Sequence, residues 1–179
     1  FELIGIILGL AIYNGHILDI HFPLALYKKL LGIEIGLEDY KQYDPQVAKS
    51  LQSILDYEND DFQEVMCLNF TIEYESWGAK TSEELKEGGN NIPVTLENKE
   101  EYVELFIDFM MNKSVEKSFS AFKKGFIKCC GGEVLNMLAP EDLEMLICGS
   151  KNLDFKELKK VTHYQDGYTA ESTTVKRFW

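Results

Sequence analysis

The side chains most capable of covalent or metal chemistry here are four cysteines, at positions 67, 129, 130 and 148, and three histidines. A nucleophilic cysteine needs a base within hydrogen-bond reach and usually a third group to orient that base. Cys129 or Cys130 with His163 is the pairing that can be drawn. Both cysteines fall at a predicted helix C-terminus, where the helix dipole disfavours a thiolate, and no cationic cluster stands beside them. A structural zinc site takes four ligands, usually brought in by paired spacings. No C-x-x-C occurs, two adjacent cysteines share one metal poorly, and the histidines are scattered, so neither a metal nor another cofactor is expected. The thiols read as reduced, mostly buried, small hydrophobes. Gly88-Gly89 lacks the spacing and the Lys-Ser/Thr of a phosphate loop, and the acidic run 58–61 lacks EF-hand spacing. By its own residues, this chain is not a self-sufficient enzyme.

The 179 residues are 45% hydrophobic and 12% aromatic, enough for one compact core with a smaller satellite. The formal net charge is −12. Nucleic acid is excluded as a partner on that ground, since phosphate binding needs a basic surface. A partner with a basic docking face is favoured instead. The opening run FELIGIILGLAIY carries Glu2 where a signal peptide has positive charge, and it falls short of the roughly 20 apolar residues that cross a bilayer. No membrane insertion is expected, and the chain reads as cut from a longer protein.

The elements that must position any functional side chain follow from periodicity and caps. A nearly all-apolar helix is predicted over 3–14, its Gly5 and Gly9 marking close helix packing. A second helix starts near Pro23 and stops at Gly32. Asp44-Pro45 is a cap followed by proline at the first helical position, leading into the stripe Val47, Leu51, Ile54, Leu55. Met66 to Tyr74 alternates with period two and predicts a strand, with a second extended arm over 79–85. Ile92-Pro93-Val94 is expected at a sheet edge. Thr95 is expected to cap a long helical stretch over 96–128, interrupted at Asn112-Lys113-Ser114. Gly131-Gly132 stops it, Pro140 opens a helix ending at Cys148, and Asp154 with Glu157 forms a capping box for another. A last helix begins near Ser172. The expected class is α+β, predominantly helical, with a small β-containing insertion. A subdomain that small cannot bury both faces of its elements, so it leaves an apolar groove for a partner.

Several segments together resemble the HECT ubiquitin-ligase family: FELIGIILGLAIYN at 1–14, LDIHFPLALYKKLLG at 18–32, NKSVEKSFSAFKKGF at 112–126, and PEDLEMLICGSKNLDFKELKKVTHYQDGYTAESTTVKRFW at 140–179. The resemblance runs through essentially the whole chain in the family's order and spacing. GLED at 36–39 and CLNFTI at 67–72 look most like the branch carrying RCC1-like repeats.

The resemblance implies a large helical N-lobe subdomain from 1–42 and 113–148, incomplete at its start. It further implies a small E2-binding subdomain at 43–112, a hinge at 149–151 that includes Gly149 and Ser150, and the beginning of a C-lobe at 152–179. The family's catalytic cysteine sits in a Thr-Cys-Phe context that this chain lacks, so the thioester cysteine is expected beyond Trp179. The partners implied are a ubiquitin-conjugating enzyme (E2), ubiquitin or a ubiquitin-like modifier, and protein substrates recruited by absent regions. The implied compartment is the cytoplasm, with the nucleus as a second location.

Residue by residue, the family's E2 groove maps to Val47, Ser50 and Leu51 on the capped helix, Tyr57 at its end, Leu68, and Tyr102 with Phe106. Tyr102 falls where many relatives carry phenylalanine, which places a hydroxyl at the groove. On this reading Leu51→Asp is expected to remove E2 binding and spare the fold. The alternative is a non-catalytic interaction module, and a stand-alone cysteine hydrolase would require an unusually reactive thiol.

Overall fold

The structure is a computed structural model that describes residues 1–76, 78–132, 135, 137–150 and 154–179. It divides into two compact units, Phe1–Cys148 and Gly149–Trp179. Within the first unit α1 (Glu2–Tyr13), α2 (Leu24–Leu30), α3 (Leu37–Tyr43), α4 (Pro45–Asp56) and α5 (Phe62–Met66) come in order. They are followed by β1 (Thr71–Ser76) and β2 (Ala79–Glu84), then α6 (Lys99–Asp108), α7 (Glu116–Cys130) and α8 (Pro140–Cys148). The class is α+β and predominantly helical, its sheet a single antiparallel hairpin with Thr71 opposite Glu84 and Ser76 opposite Ala79.

Two apolar cores form inside this unit. One gathers Leu8, Tyr27, Leu30, Phe122, Phe126, Leu143 and Ile147 from the first and last helices. Its seam depends on glycine: a Cβ on Gly5 would lie 2.0 Å from the Phe122 carbonyl oxygen, and one on Gly125 2.0 Å from the Glu2 carbonyl oxygen. α1 and α7 therefore touch backbone to backbone, as the G-x-x-x-G spacing predicts. Lys128 closes the open end of this seam with an ion pair to Glu2 at 2.5 Å, and together with Lys124 it holds the Glu2 carboxyl below its usual range.

The second core gathers Tyr40, Ala48, Leu51, Ile54, Phe62 and Phe70 with Ile72, Leu85, Val94, Tyr102, Val103 and Ile107. Two adjacent lysines at the end of α2 tie it to the first. Lys28 pairs at 2.6 Å with Asp39, a buried carboxylate that also accepts the Gly36 N–H. Lys29 donates to the Met111 carbonyl and lies 4.4 Å from the centre of the Phe119 ring. Burial lowers the Lys29 pKa, since desolvation opposes the charged form.

Several expectations need correction. The strand does not begin at Met66. That residue ends α5, and Cys67 then takes a left-handed conformation (φ 47°). Such a reversal breaks a strand, so regular pairing waits until Thr71 although the alternation of burial starts earlier. Thr95 does not cap a helix. Asn98 occupies the N-cap, and its side chain instead ties the preceding loop, accepting from the Thr95 N–H and donating to the Pro93 carbonyl. The stretch 96–128 is two helices joined through a π-helical turn, Phe109–Lys113, where Ser114 N–H reaches back to the Phe109 carbonyl. Ile92-Pro93-Val94 makes only a bridge between Asn69 and Pro93 plus a Val94 N–H to the Leu68 carbonyl, because proline offers no N–H for a ladder. The helix α3 was not foreseen.

The second unit contains α9 (Phe155–Val161) and α10 (Thr173–Phe178). Asp154 caps α9, accepting from the N–H groups of Lys156 and Glu157 at 2.9 and 3.1 Å. The capping box is only half made, because the Glu157 carboxylate turns to Lys160. Trp179 donates its indole N–H to the Tyr164 hydroxyl at 2.8 Å. Residues 151–153, which the hinge and C-lobe expectations reach, lie outside the described residues.

Buried phenols give a pH expectation. Burial, with Asp44 and Tyr43 adding to it, pushes the Tyr40 phenol up to about 12. Burial also raises Tyr27, helped by Cys148, and raises Tyr102. A free phenol releases its proton near pH 10, so an unfolded chain gains by ionising above that pH while the folded chain cannot. This stability is complete below about pH 10 and drains as the pH rises past it. Three such groups give a slope of roughly 4 kcal/mol per pH unit at most. Urea midpoints are expected to fall steeply between about pH 10 and about pH 11. Midpoints that stay level across that range would contradict it.

Candidate functional site

α4 forms because its start is fixed chemically. The Asp44 carboxylate accepts the N–H groups of Gln46 and Val47 at 3.1 and 3.0 Å, and Pro45 presets the first helical φ. Ala48, Leu51 and Ile54 then face inward while Ser50 and Gln52 face solvent. The Ser50 hydroxyl donates back to the Gln46 carbonyl at 3.2 Å. The other end is closed from outside the helix. Lys99, in the first turn of α6, donates its ammonium to the carbonyls of Leu55 and Tyr57 at 2.6 and 2.7 Å. A cation at a helix C-terminus is favoured twice, by the hydrogen bonds and by the dipole. Tyr57 is held in turn by its hydroxyl, which donates to Asp61 at 2.6 Å, and by an edge contact with Phe62.

α6 packs its aromatic residues against this helix. The Tyr102 ring meets Phe70 edge-on at 5.6 Å and lies 6.2 Å from Phe106, which itself meets Tyr40 at 6.0 Å. Lys86 lies 3.7 Å from the centre of the Phe70 ring and bonds both Glu101 oxygens at 2.8 Å. Leu68 is half-buried on the same core, and Cys67 before it is exposed.

Six of the seven residues read as a groove share one core, and they differ in depth. Val47, Tyr57, Leu68 and Phe106 are half-buried at its edge, and Ser50 is exposed nearby on α4. Leu51 and Tyr102 are 3% and 5% exposed, so they support the surface from beneath. The expectation that Leu51→Asp spares the fold is corrected on that ground, since the new carboxylate would enter an apolar core. Among the described residues the Tyr102 hydroxyl has no hydrogen-bond partner, and no buried side-chain oxygen lacks one. That hydroxyl is therefore not closed off from solvent. Sequence reasoning missed Phe62, Phe70 and Lys99. Phe70 sits at a buried position of the alternating run, while nothing in the sequence signals the reach of Lys99 across 42 and 44 residues to its two acceptors.

The cysteines are dispersed. Cys130 donates to the Gly9 carbonyl at 3.0 Å, and burial pushes its thiol pKa up, away from reactivity. Cys148 donates to the Ile20 carbonyl at 2.8 Å and meets the Tyr27 hydroxyl at 3.3 Å. Among the described residues no group of three or more His, Cys, Asp or Glu side chains is placed to hold a metal. Nor is any helix of the described residues long and apolar enough to cross a membrane. Past α8, Gly149 has φ 73°, a conformation open to glycine without strain, and Ser150 is exposed.

The chain is similar along its whole length to Probable E3 ubiquitin-protein ligase HERC4 of Homo sapiens, at 49% identity, and to HERC3 of Homo sapiens, at 45%. It is 41% identical to Probable E3 ubiquitin-protein ligase HECTD2 of Mus musculus. It spans 17% of the length of the first two and 25% of the third. The two HERC matches agree with the narrower resemblance to the branch carrying RCC1-like repeats. The family model described as HECT-domain (ubiquitin-transferase) matches residues 1–179, and the chain belongs to that family.

Proposed function

We propose that this chain is the E2-docking portion of a HECT ubiquitin-protein ligase. The parent protein accepts ubiquitin, or a ubiquitin-like modifier, from an E2 onto a cysteine beyond Trp179 and passes it to substrate lysines. In this reading residues 43–112 are the E2-binding subdomain, and 1–42 with 113–148 the large N-lobe subdomain. Residues 149–151 are the hinge and 152–179 the opening of the C-lobe. Gly149 supplies the backbone freedom such a hinge needs.

The observation that carries the reading is the half-buried rim of Val47, Tyr57, Leu68 and Phe106 over one core, in a chain of this family. Half-exposed aromatic and aliphatic side chains over a rigid base are the usual material of an interface hot spot. The negative net charge favours a basic docking face on the partner. The Tyr102 hydroxyl, not closed off from solvent beneath this rim, can influence which E2 is preferred. The test is an E2 titration of the isotope-labelled chain followed by NMR. Resonances of 47–57, 68 and 102–106 are expected to shift, while those of Leu8, Tyr27 and Leu30 stay in place. Shifts confined to the second group would refute the assignment.

A further inference from the structure

The side of α6 away from the aromatic residues carries a second feature. At about 100° per residue, Glu100, Val103, Glu104, Ile107 and Asp108 fall on one stripe, opposite Tyr102 and Phe106. This stripe, with Leu105, lines an open groove of about 900 Å³ together with Glu34 and Ile35, Leu37 at the start of α3, and Leu55. Ile35, Leu37 and Leu55 are half-buried, so apolar surface remains available along the floor.

The rim is charged in one sign. Asp108 is balanced, hydrogen-bonded to Asn112 at 2.9 Å and paired with Lys113 at 3.2 Å, and these partners lower its pKa. Glu34, Glu100 and Glu104 are exposed and have no cation within ion-pair distance among the described residues. Three exposed carboxylates without an ion-pair partner among the described residues thus line a groove that also carries apolar surface. A ligand that buries methylenes on the floor and places ammonium or guanidinium groups at the rim gains charge pairing and apolar burial at once. An acidic or neutral peptide gains only the second.

We propose that the groove between the 34–37 segment and α6 is a docking site for a basic amphipathic segment of a partner protein. The segment's apolar side chains lie on Ile35, Leu37 and Leu55, and its lysines or arginines face Glu34, Glu100 and Glu104. The site is distinct from the E2 rim, since no residue lining the groove is one of the rim residues Val47, Tyr57, Leu68 and Phe106.

The test uses the whole chain and a fluorescein-labelled peptide of repeating Leu-Lys-Lys-Leu units, read by anisotropy at about 0.15 M ionic strength. Glu34→Gln, Glu100→Gln and Glu104→Gln together are expected to weaken binding about tenfold or more. Glu73→Gln, Glu83→Gln and Glu87→Gln together remove the same charge from the hairpin region, and are expected to change it less than about twofold. All six side chains are exposed, so both variants fold. Equal losses in the two variants would show attraction to net charge alone and overturn the proposal. So would unchanged binding in the groove variant, or sedimentation showing that the groove is covered by a second copy of the chain. E2 affinity, measured alongside, is expected to be the same in the groove variant as in the hairpin variant, which carries the same net charge. A loss there would overturn the independence of the two sites, while absent E2 binding in both would count against the E2 reading alone.

Discussion

Gly125→Ala is expected to destabilise the first unit by about 3 kcal/mol, the upper range for overpacking a tight seam. Its Cβ would stand 2.0 Å from the Glu2 carbonyl oxygen and 2.9 Å from the carbonyl carbon. These are backbone atoms of a regular helix, so no rotamer change relieves the clash. α1 and α7 must separate, and the contacts of Leu8 with Phe122 and Phe126 loosen with them. Gly5→Ala meets the reciprocal obstacle, 2.0 Å from the Phe122 carbonyl oxygen and 2.7 Å from the Phe126 nitrogen. Gly36→Ala is the control: nothing lies within 4 Å of its Cβ and its φ of −115° suits any residue. Its urea midpoint is expected to match the parent chain within about 0.5 kcal/mol. Equal midpoints for Gly125→Ala and Gly36→Ala would mean that the helices are not in backbone contact.

Leu51→Asp is expected to cost about 4 kcal/mol or more, through lost packing and an unpaired carboxylate in an apolar core. Leu51 is 3% exposed and shares its core with Ile54, Phe62 and Tyr102. Domains of this size are stable by about 5–15 kcal/mol, so such a loss is a large part of the whole. The variant is expected to lose E2 binding by losing the small core, and circular dichroism and a urea titration show this directly. A native spectrum with an unchanged midpoint would contradict the burial of Leu51.

The contrast shows what the sequence could and could not display. Local signals were legible. The Asp44-Pro45 start, the Gly32 stop, the Pro140 start and the glycine spacing of α1 each depend on chemistry within a few residues, and each appears where expected. Periodicity also gave the correct inward face of α4. It gave no depth, because whether an inward residue is a floor or a rim depends on what packs above it. Leu51 and Val47 sit on neighbouring turns, yet one is buried and the other half-open. The alternation of Met66 to Tyr74 survived as alternating burial, while the left-handed Cys67 delayed the ladder to Thr71. Tertiary ties such as Lys99 to the end of α4, or Lys28 to Asp39, have no local signature at all. α3 was overlooked for a related reason. LEDYKQY is mostly polar, and it is placed by the Gly36–Asp39 hydrogen bond and by burial of Tyr40.

The most direct measurement is a titration of the folded chain with a panel of E2 enzymes, repeated with Ser50→Arg. Ser50 is exposed on α4 and its hydroxyl makes only a local bond to Gln46, so the substitution leaves the core untouched while placing a bulky cation beside Val47. Binding of one or more E2 enzymes at roughly micromolar Kd, weakened about tenfold or more by Ser50→Arg at unchanged stability, is the expected result. Binding that Ser50→Arg leaves intact, or no binding of any E2 by a chain shown to be folded, would contradict an E2-docking surface at this rim.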